Sequence, residues 1–404
     1  MNMPIEYLVF DPSPCGFPKP RLPPLPDGLA GLSLRTRSAA RIAPAAHFRH
    51  FTRGRYALRE AYRLAGVGSG SALLAPSYHC RTMLDPALAL GADVLLYPLQ
   101  QNLAPDLAAL DRLLERSPVP AGALLATHYF GIPQPLDELS AWCQRRGITL
   151  IEDCSHVFFC ETHRPPGTGL HGDFVVSSPY KFLPSPDGGL LYVRQARRLD
   201  ELAARRSAPL TAELRGLVRA FSQARQHHRA AKTCERTRID AELALLAQRS
   251  AAPGGDWRRR EGHSADYRPA EEGLTPLRLS RLIWRHADVA EISRRRRENY
   301  QRWADALAGL PHCHALFPRL PEGGIPYMFP LHIDHPDPHF YWLKHLGVPI
   351  WRWDNIAASP HPTANDYRLH LLHLPCHQSL AETEREWMIA AVRAVMGRPV
   401  PGAA

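Results

Sequence analysis

Short apolar runs alternate with stretches of helical period from about residue 51 to residue 193, and this alternation restricts the fold more than any other feature of the chain. The alternation predicts βαβ units and a mostly parallel sheet. Because the strand candidates are apolar at consecutive positions, we expect helices to cover both faces of the sheet. Strands are predicted at 72–75, 94–97, 123–127, 148–151, 174–177 and 190–193, and helices at 56–65, 83–90, 107–116 and 136–146.

The flanking segments differ in composition and predict further regions. The predicted regions are an N-terminal arm (1–45, rich in Pro), a large domain (46–200), a basic helical insertion (201–270), and a linking helix with a smaller C-terminal α/β domain (271–404). The linking helix is predicted over about 276–310, followed by a strand near 328–333 and a closing helix near 382–395. The Arg run at 294–297 is interpreted as a solvated helix face, with a phosphate site as the alternative.

Charge and cysteine content exclude several classes of protein. The formal net charge is +10, and residues 201–260 hold 13 Lys and Arg against 6 Asp and Glu. The chain lacks an RRM signature, zinc-finger spacing and an aromatic-rich basic arm, so nucleic-acid binding is not indicated. The eight Cys form no C-x-x-C pair, and there is no signal-peptide pattern and no apolar run of 18 residues. We therefore expect a cytoplasmic protein that does not enter a membrane.

The residues that indicate chemistry are concentrated between 148 and 191. A predicted strand ends in Glu152 and Asp153, and ligands of open parallel sheets bind beyond the carboxyl ends of the strands. His156 follows, then a Gly-rich loop, a second strand, and the segment Ser178-Pro179-Tyr180-Lys181 before a turn with two glycines. A carboxylate, a serine and a lysine in this order are suited to one cofactor.

That cofactor is pyridoxal phosphate. A carboxylate keeps a pyridine nitrogen protonated, and the protonated ring withdraws electrons from an attached imine. A lysine amine forms that imine with the cofactor's aldehyde, and a serine three residues earlier can donate a hydrogen bond to the phosphate. The S-x-x-K spacing alone also occurs in acyl-transfer enzymes with a serine nucleophile, so the argument depends on the whole ordered set.

The chain resembles the DegT/DnrJ/EryC1/StrS aminotransferases, which are fold type I pyridoxal-phosphate enzymes. The resemblance is carried by GRYALREAYRLAGVGSGSALLAPSYHC from Gly54, GAD at 91–93, THYFG at 127–131, IEDCSH at 151–156, SSPYKFLPSPDGG at 177–189 and LHLPCHQSL at 372–380. It implies a large domain with a mostly parallel, seven-stranded type of sheet between helices, and a smaller C-terminal α/β domain.

The resemblance also implies roles for individual residues. Lys181 matches the lysine that forms the internal aldimine and then moves the proton between Cα and the cofactor. Asp153 matches the carboxylate at the pyridine nitrogen, His156 the residue near the 3-hydroxyl, and Ser178 a phosphate ligand. The turn of Gly54, Arg55 and Tyr56 matches a phosphate-binding helix start.

Structural alternatives remain open for several of these residues. Asp153 can cap a helix, and His156 can be a structural histidine whose ring nitrogens are hydrogen-bonded within the protein. Arg55 can be an exposed residue at a helix start that contributes only through its backbone. His128 and Tyr129 either line the pocket or end a strand. Where the family has an aromatic residue that stacks on the cofactor, this chain has Cys80, with Tyr78 close by; the family's G-x-N-x-R segment is not recognisable.

These observations predict a homodimeric aminotransferase that moves an amino group from an amino-acid donor to a small keto acceptor, such as a nucleotide-linked keto-sugar. The alternatives are a pyridoxal-phosphate enzyme with other Cα chemistry, such as elimination or decarboxylation, and a non-catalytic relative that acts as a binding protein. No metal site is predicted, because the His residues are scattered and the HCH at 312–314 does not fit one tetrahedral ion.

Overall fold

The computed structural model describes residues 5–27, 32, 47–160, 163–231, 234, 236–248 and 254–400. The strands are β1 (Ile5–Asp11), β2 (Phe48–Phe51), β3 (Ala72–Pro76), β4 (Asp93–Tyr97), β5 (Ala121–Thr127), β6 (Thr149–Cys154), β7 (Phe174–Ser177), β8 (Gly189–Val193), β9 (Gly255–Glu261), β10 (Cys313–Ala315), β11 (Met328–Ile333), β12 (Ile356–Ala357) and β13 (Leu371–Pro375). The helices are α1 (Gly54–Leu64), α2 (Arg81–Ala89), α3 (Leu107–Glu115), α4 (Asp137–Arg146), α5 (Leu210–Ala231), α6 (Ile239–Gln248), α7 (Arg278–Arg285), α8 (Val289–Leu307), α9 (Pro336–His345), α10 (Pro362–His370) and α11 (Glu382–Met396). Among these helices, none is both long enough and apolar enough to cross a lipid bilayer.

A seven-stranded sheet organises the first half of the chain, in the order β2-β8-β7-β6-β5-β3-β4. Neighbouring strands from β4 to β7 run parallel, and β8 is antiparallel to both β7 and β2. Successive residues face opposite sides, so that Leu124 and Leu150 join one apolar cluster while Leu125 and Ile151 join another. The predicted mostly parallel sheet, covered on both faces, is confirmed.

A second, antiparallel sheet lies in the last hundred residues, in the order β10-β11-β13. Apolar residues of α8, α9 and α11 pack with it into one core, which includes Trp303, Phe329, Leu343 and Trp387. The expected α/β character of this part of the chain is therefore observed.

A third sheet joins three distant segments, in the order β12-β1-β9. Its central strand, β1, lies in the region where the sequence predicts an extended arm, and it pairs with β9 along its whole length. The strand β9 lies in the region where the sequence predicts a helical insertion. The residues between 28 and 46, except 32, lie outside the described part of the chain.

The single long helix predicted over about 276–310 is wrong, because two helices, α7 and α8, occupy this stretch. The break falls before Asp288, whose side chain accepts a hydrogen bond from the backbone N–H of Glu291 and so caps a new helix. The solvated face predicted for the Arg run at 294–297 is also wrong in part. Arg294 pairs with Glu291 and Glu298 on the surface, whereas Arg296 is completely buried.

Candidate active site

A cleft lies at the carboxyl ends of β6 and β7, next to the start of α1. The register of the sheet aligns Thr127 with Asp153 and Cys154 with Ser177, so the residues that follow these strands meet at one edge. The cleft is lined by Arg53, Gly54, Arg55, Leu58, Cys80, Thr82, Met83, Thr127, Asp153, Ser155, His156, Ser178, Tyr180, Lys181 and Trp353. Most of the predicted site residues are therefore brought together.

Asp153 supplies a carboxylate at the base of the cleft. The residue is 2% exposed, and its Oδ1 accepts a hydrogen bond of 2.8 Å from the backbone N–H of Ser155. Among the described residues, no Lys, Arg or His forms an ion pair with this carboxylate. Because a buried charge without a partner costs several kcal/mol, the position suits a cationic group of a ligand, such as a protonated pyridine nitrogen.

The start of α1 and two serines form an anion cradle. The Oγ of Ser178 donates a hydrogen bond of 3.0 Å to the Oγ of Ser155. A Cβ on Gly54, the first residue of α1, would lie 2.3 Å from Ser178 Oγ and 3.4 Å from Ser155 Oγ. Glycine therefore keeps open the space between two hydroxyl groups and a helix N-terminus. That space fits a phosphate group.

Lys181 ends a 3₁₀ turn, Pro179–Lys181, and lies on the same cleft as the anion cradle. Its Nζ is 5.4 Å from the centroid of the Tyr327 ring. Its backbone N–H donates to the carbonyl of Ser178, which holds the predicted lysine and the predicted serine on one turn. The S-x-x-K spacing thus brings an amine and a hydroxyl group to one cavity.

Arg296 fixes the Lys181 turn from behind. It donates to the carbonyl oxygens of Lys181 and Pro326, at 3.2 and 3.0 Å, and to Oε1 of Gln378, at 2.8 Å. Its guanidinium also lies 4.7 Å from the centroid of the Phe182 ring. Burial lowers the pKa of Arg296 to about 10, so the group stays charged at neutral pH. A buried cation with carbonyl acceptors thus joins the turn to the strand β11.

His156 stands between aromatic residues at the cleft. Its ring centroid is 4.4 Å from that of Tyr327 and 5.4 Å from that of Trp353. Burial holds the pKa of His156 well below its usual value, and the nearby Lys181 and His373 act in the same direction. Its Nδ1 is buried and has no hydrogen-bond partner among the described residues. A neutral imidazole with an unused nitrogen suits a hydroxyl or phenolate oxygen of a ligand.

The remaining predicted residues lie in different places. Cys80 lines the cleft, but Tyr78 is buried behind it, with its hydroxyl 2.9 Å from Nε2 of His373 and its ring 4.8 Å from that of Trp353. Tyr56 does not line the cleft, because its hydroxyl bonds to Glu271.

Arg55 reaches the cleft at the helix start, while its guanidinium donates to the carbonyl of Asp266. His128 and Tyr129 are buried and do not line the cleft. Their hydrogen bonds run instead to Glu152 and to the carbonyl of Tyr78.

Sequence reasoning did not predict several of the cleft residues, among them Ser155 and Trp353. Ser155 follows Asp153 by two positions, and its hydroxyl group is a recognisable signal in hindsight. Trp353 comes from the C-terminal part, in the segment between α9 and β12, and no motif connects it to the residues near Asp153. Among the described residues, Trp353 is the aromatic side chain from that part that lines the cleft.

Glu152 supports the site from the opposite face of β6. Its carboxylate accepts hydrogen bonds from the backbone N–H groups of Gly169, His171 and Gly172, at 2.6, 2.8 and 2.5 Å. His128 adds a bond of 3.2 Å from Nε2, because its Nδ1 accepts from the N–H of Gln134. Burial alone would raise the pKa of Glu152, but the bonds from His128, Gly172 and Gly169 lower it to about 2. One ionised side chain thus anchors the Gly-rich loop.

Comparison with known proteins agrees with this geometry. A model of the DegT/DnrJ/EryC1/StrS aminotransferase family matches residues 37–230. The L-glutamine:2-deoxy-scyllo-inosose aminotransferase of Streptoalloteichus tenebrarius is 28% identical over 248 residues, which are 56% of this chain and 54% of that protein. The chain therefore matches about half the length of this curated relative.

Solved structures share the fold. The aminotransferase TlmJ from Streptoalloteichus hindustanus has a TM-score of 0.58 at 22% identity, covering 87% of this chain and 86% of its own. DesV of S. venezuelae, solved with a ketimine intermediate, has a TM-score of 0.58 at 18% identity, covering 88% and 86%. The fold is that of the fold type I pyridoxal-phosphate enzymes, and residues 37–230 are similar to the DegT/DnrJ/EryC1/StrS aminotransferase family.

Proposed function

We propose that this protein is a pyridoxal-phosphate-dependent aminotransferase that passes an amino group from an amino-acid donor to a polyhydroxylated keto acceptor of the sugar class. The observation that carries the proposal is the convergence, in one cleft, of a buried carboxylate (Asp153), an anion cradle (Gly54, Ser155 and Ser178) and a lysine amine (Lys181). The family and the relative that acts on 2-deoxy-scyllo-inosose support the acceptor class.

The residues of the cleft fit the parts of this cofactor. The anion cradle would bind the phosphate, Asp153 would hold the proton on the ring nitrogen, and neutral His156 would bond to the ring oxygen. Lys181 would anchor the cofactor through its Nζ. When bound, pyridoxal phosphate supplies an electron-withdrawing ring that stabilises negative charge at the substrate Cα.

Lys181 and the aromatic residues then act on the substrate. The Nζ of Lys181 would accept the proton from the donor Cα, and in the return half of the reaction it would deliver a proton to the acceptor carbon. Trp353 and Tyr327 restrict water around this amine. Arg296 keeps the Lys181 turn in place through its bond to the Lys181 carbonyl.

We further propose that the protein is a cytoplasmic homodimer. The helix α5 exposes Leu210, Leu214 and Val218 at 76%, 63% and 67%, a stripe of helical spacing that a second subunit would cover. No disulfide bond joins the cysteines of the described residues, which agrees with a reducing compartment. A monomer at micromolar concentration in light scattering would contradict the dimer.

The chain offers a clear test, because its sequence contains only four lysines: Lys19, Lys181, Lys232 and Lys344. Protein loaded with pyridoxal phosphate is reduced with borohydride, digested and analysed by mass spectrometry. We expect the mass of the reduced cofactor on the peptide that contains Lys181, and its loss in Lys181→Ala. The matched control is Lys344→Ala, whose Nζ lies near the Phe17 ring, away from the cleft.

A second measurement separates transamination from other Cα chemistry. L-Glutamate is added to the loaded protein, and the cofactor is released by acid and identified by mass. Conversion to the amine form supports the aminotransferase. Retention of the aldehyde form with every amino acid tested, or attachment of the cofactor to another lysine, contradicts the proposal.

A further inference from the structure

Three side chains with metal-binding atoms meet on the surface of the C-terminal part, away from the cleft. His332 lies on β11, and Asp366 and His370 lie four positions apart on α10. One ligand atom from each of them lies within 4.8 Å of the others. Residues spaced by four positions on a helix share one face, so α10 presents a carboxylate and an imidazole together to the histidine of the strand.

The distances agree with the coordination of a small ion. His332 Nε2 is 2.9 Å from Asp366 Oδ2, and His370 Nε2 is 3.9 Å from Asp366 Oδ1. A tetrahedral zinc ion with bonds of about 2.0–2.1 Å holds its ligand atoms about 3.3 Å apart. The two measured distances lie on either side of this value. Asp366 is the exposed member of the three, and we expect rotation of its carboxylate, with small adjustments of the two partly buried imidazoles, to bring the three ligand atoms to one ion.

The backbone orients one of these ligands. His370 Nδ1 lies 2.7 Å from the carbonyl oxygen of Ile333, to which it donates its proton. This bond fixes the tautomer that leaves Nε2 as a lone-pair donor on the side of Asp366. Metal-binding histidines characteristically donate their other ring N–H to a carbonyl or carboxylate in this way.

Imidazole rings pack against His332, and Asp366 has no Lys or Arg partner among the described residues. The ring of His314 on β10 stacks on His332 with centroids 4.7 Å apart, because the two residues are paired across the strands. The ring of His370 also stacks on His332, with centroids 5.3 Å apart. Among the described residues, no Lys or Arg forms an ion pair with Asp366, so the carboxylate is not neutralised by a permanent cation.

We propose that His332, Asp366 and His370 bind one divalent transition-metal ion of the zinc type, with the fourth position open to water or to His314. Two imidazoles and a carboxylate match the preferences of Zn²⁺, Co²⁺ and Ni²⁺, whereas Mg²⁺ and Ca²⁺ prefer oxygen ligands. The proposal is independent of the proposed aminotransferase activity. It revises the sequence-based expectation of no metal site, which considered neighbouring histidines but not residues brought together by α10 and β11.

The experiment is a cobalt titration of the cofactor-loaded protein after treatment with a chelator, followed by visible absorption spectroscopy. We expect one equivalent of Co²⁺ to give weak bands of nitrogen and oxygen ligation without thiolate charge transfer, and Zn²⁺ to displace it. Asp366→Asn and His370→Gln should each weaken binding at least tenfold. The matched control is His263→Gln, an exposed histidine remote from this cluster, which should bind as the wild type does.

Three results would overturn the proposal: no binding, equal binding by both cluster variants and the wild type, or bands dominated by thiolate ligation. Circular dichroism of each variant confirms that it is folded. Because both substitutions lie on the surface side of α10 and preserve side-chain size, a loss of folding is not expected, and Asp366→Asn alone is sufficient for a decision.

Discussion

The two walls of the cleft have different origins. The sheet wall, formed by Asp153, Ser155, His156, Ser178 and Lys181, comes from β6, β7 and the residues that directly follow them. On the other side Trp353 lines the cleft, and Arg296, Tyr327, His373 and Gln378 lie next to the lining residues; these five residues of the C-terminal part are called the C-terminal wall. The sheet wall holds the groups that bind and react, and the C-terminal wall holds rings and a buried cation.

The two walls differ in role: residues of the sheet wall bind and react, and residues of the C-terminal wall hold them in position. Groups of the sheet wall are close in sequence, because consecutive parallel strands deliver their carboxyl ends to one edge. Groups of the C-terminal wall act on them indirectly: Arg296 bonds to the Lys181 carbonyl, and His373 bonds to Tyr78 behind the cleft. If the division is correct, substitutions in the two walls should affect different properties.

The largest effect is expected for Arg296→Met, which breaks the C-terminal wall. It leaves the carbonyls of Lys181 and Pro326 and the Gln378 amide without their donor, and we expect a loss of about 3 kcal/mol in the free energy of unfolding. Urea denaturation measures it. Arg294→Met, two positions away on the surface of α8, should change stability far less than Arg296→Met does. Equal effects of the two substitutions would contradict a supporting role for Arg296.

Glu152→Gln tests whether the sheet wall has an internal support of its own. The pKa of Glu152 is lowered from 4.5 to about 2, so its ionised form stabilises the fold above pH 4.5, and this contribution is lost as the pH falls towards 2. At pH 7 we expect a loss of about 3 kcal/mol or somewhat less.

The pH dependence identifies the cause of that loss. The stability difference between wild type and Glu152→Gln should shrink as the pH is lowered from 4.5 to 2, in denaturation measured across this range. Glu138→Gln, on the exposed side of α4, serves as the control and should show little difference at any pH. A Glu152→Gln difference that stays constant with pH would show that the carboxylate charge is not what anchors the loop.

The smallest effect is expected for Gly54→Ala, which sharpens the comparison because it acts on ligand binding. The added Cβ would meet Ser178 Oγ at 2.3 Å and obstruct the anion cradle, so we expect at least a tenfold loss in affinity for pyridoxal phosphate. Equilibrium titration measures it. Gly262→Ala, where a Cβ meets no atom within 4 Å, should leave the affinity unchanged. An unchanged affinity in Gly54→Ala would contradict the proposal that the anion cradle binds the phosphate of the cofactor.

The sequence predicts the two walls to different extents for physical reasons. Asp153, Ser178 and Lys181 follow strands whose apolar runs are easy to recognise, so their meeting at one edge could be expected. Trp353 and Tyr327 belong to segments with no such pattern, and their approach to the cleft depends on how the C-terminal part packs on the sheet.

Arg296 is an intermediate case. Four consecutive arginines suggest a solvated face, and composition cannot tell one of them from another. The helical period does distinguish Arg296 from the other three arginines. One buried stripe of α8 contains Ile292, Arg296, Tyr300 and Trp303. The helix boundary before Asp288 could also be predicted from the sequence, because aspartate is a favoured N-cap residue.

The central position of β1 has a consequence for the order of events during protein synthesis. This strand leaves the ribosome well before its partners, which lie at 255–261 and 356–357. At roughly 5–20 residues per second, β1 waits on the order of ten seconds or more for β9, and longer for β12. Throughout that time Tyr7 and Phe10, both buried in the finished protein, stay exposed on a strand with two unpaired edges. A nascent chain of this kind is a natural client for ribosome-associated chaperones.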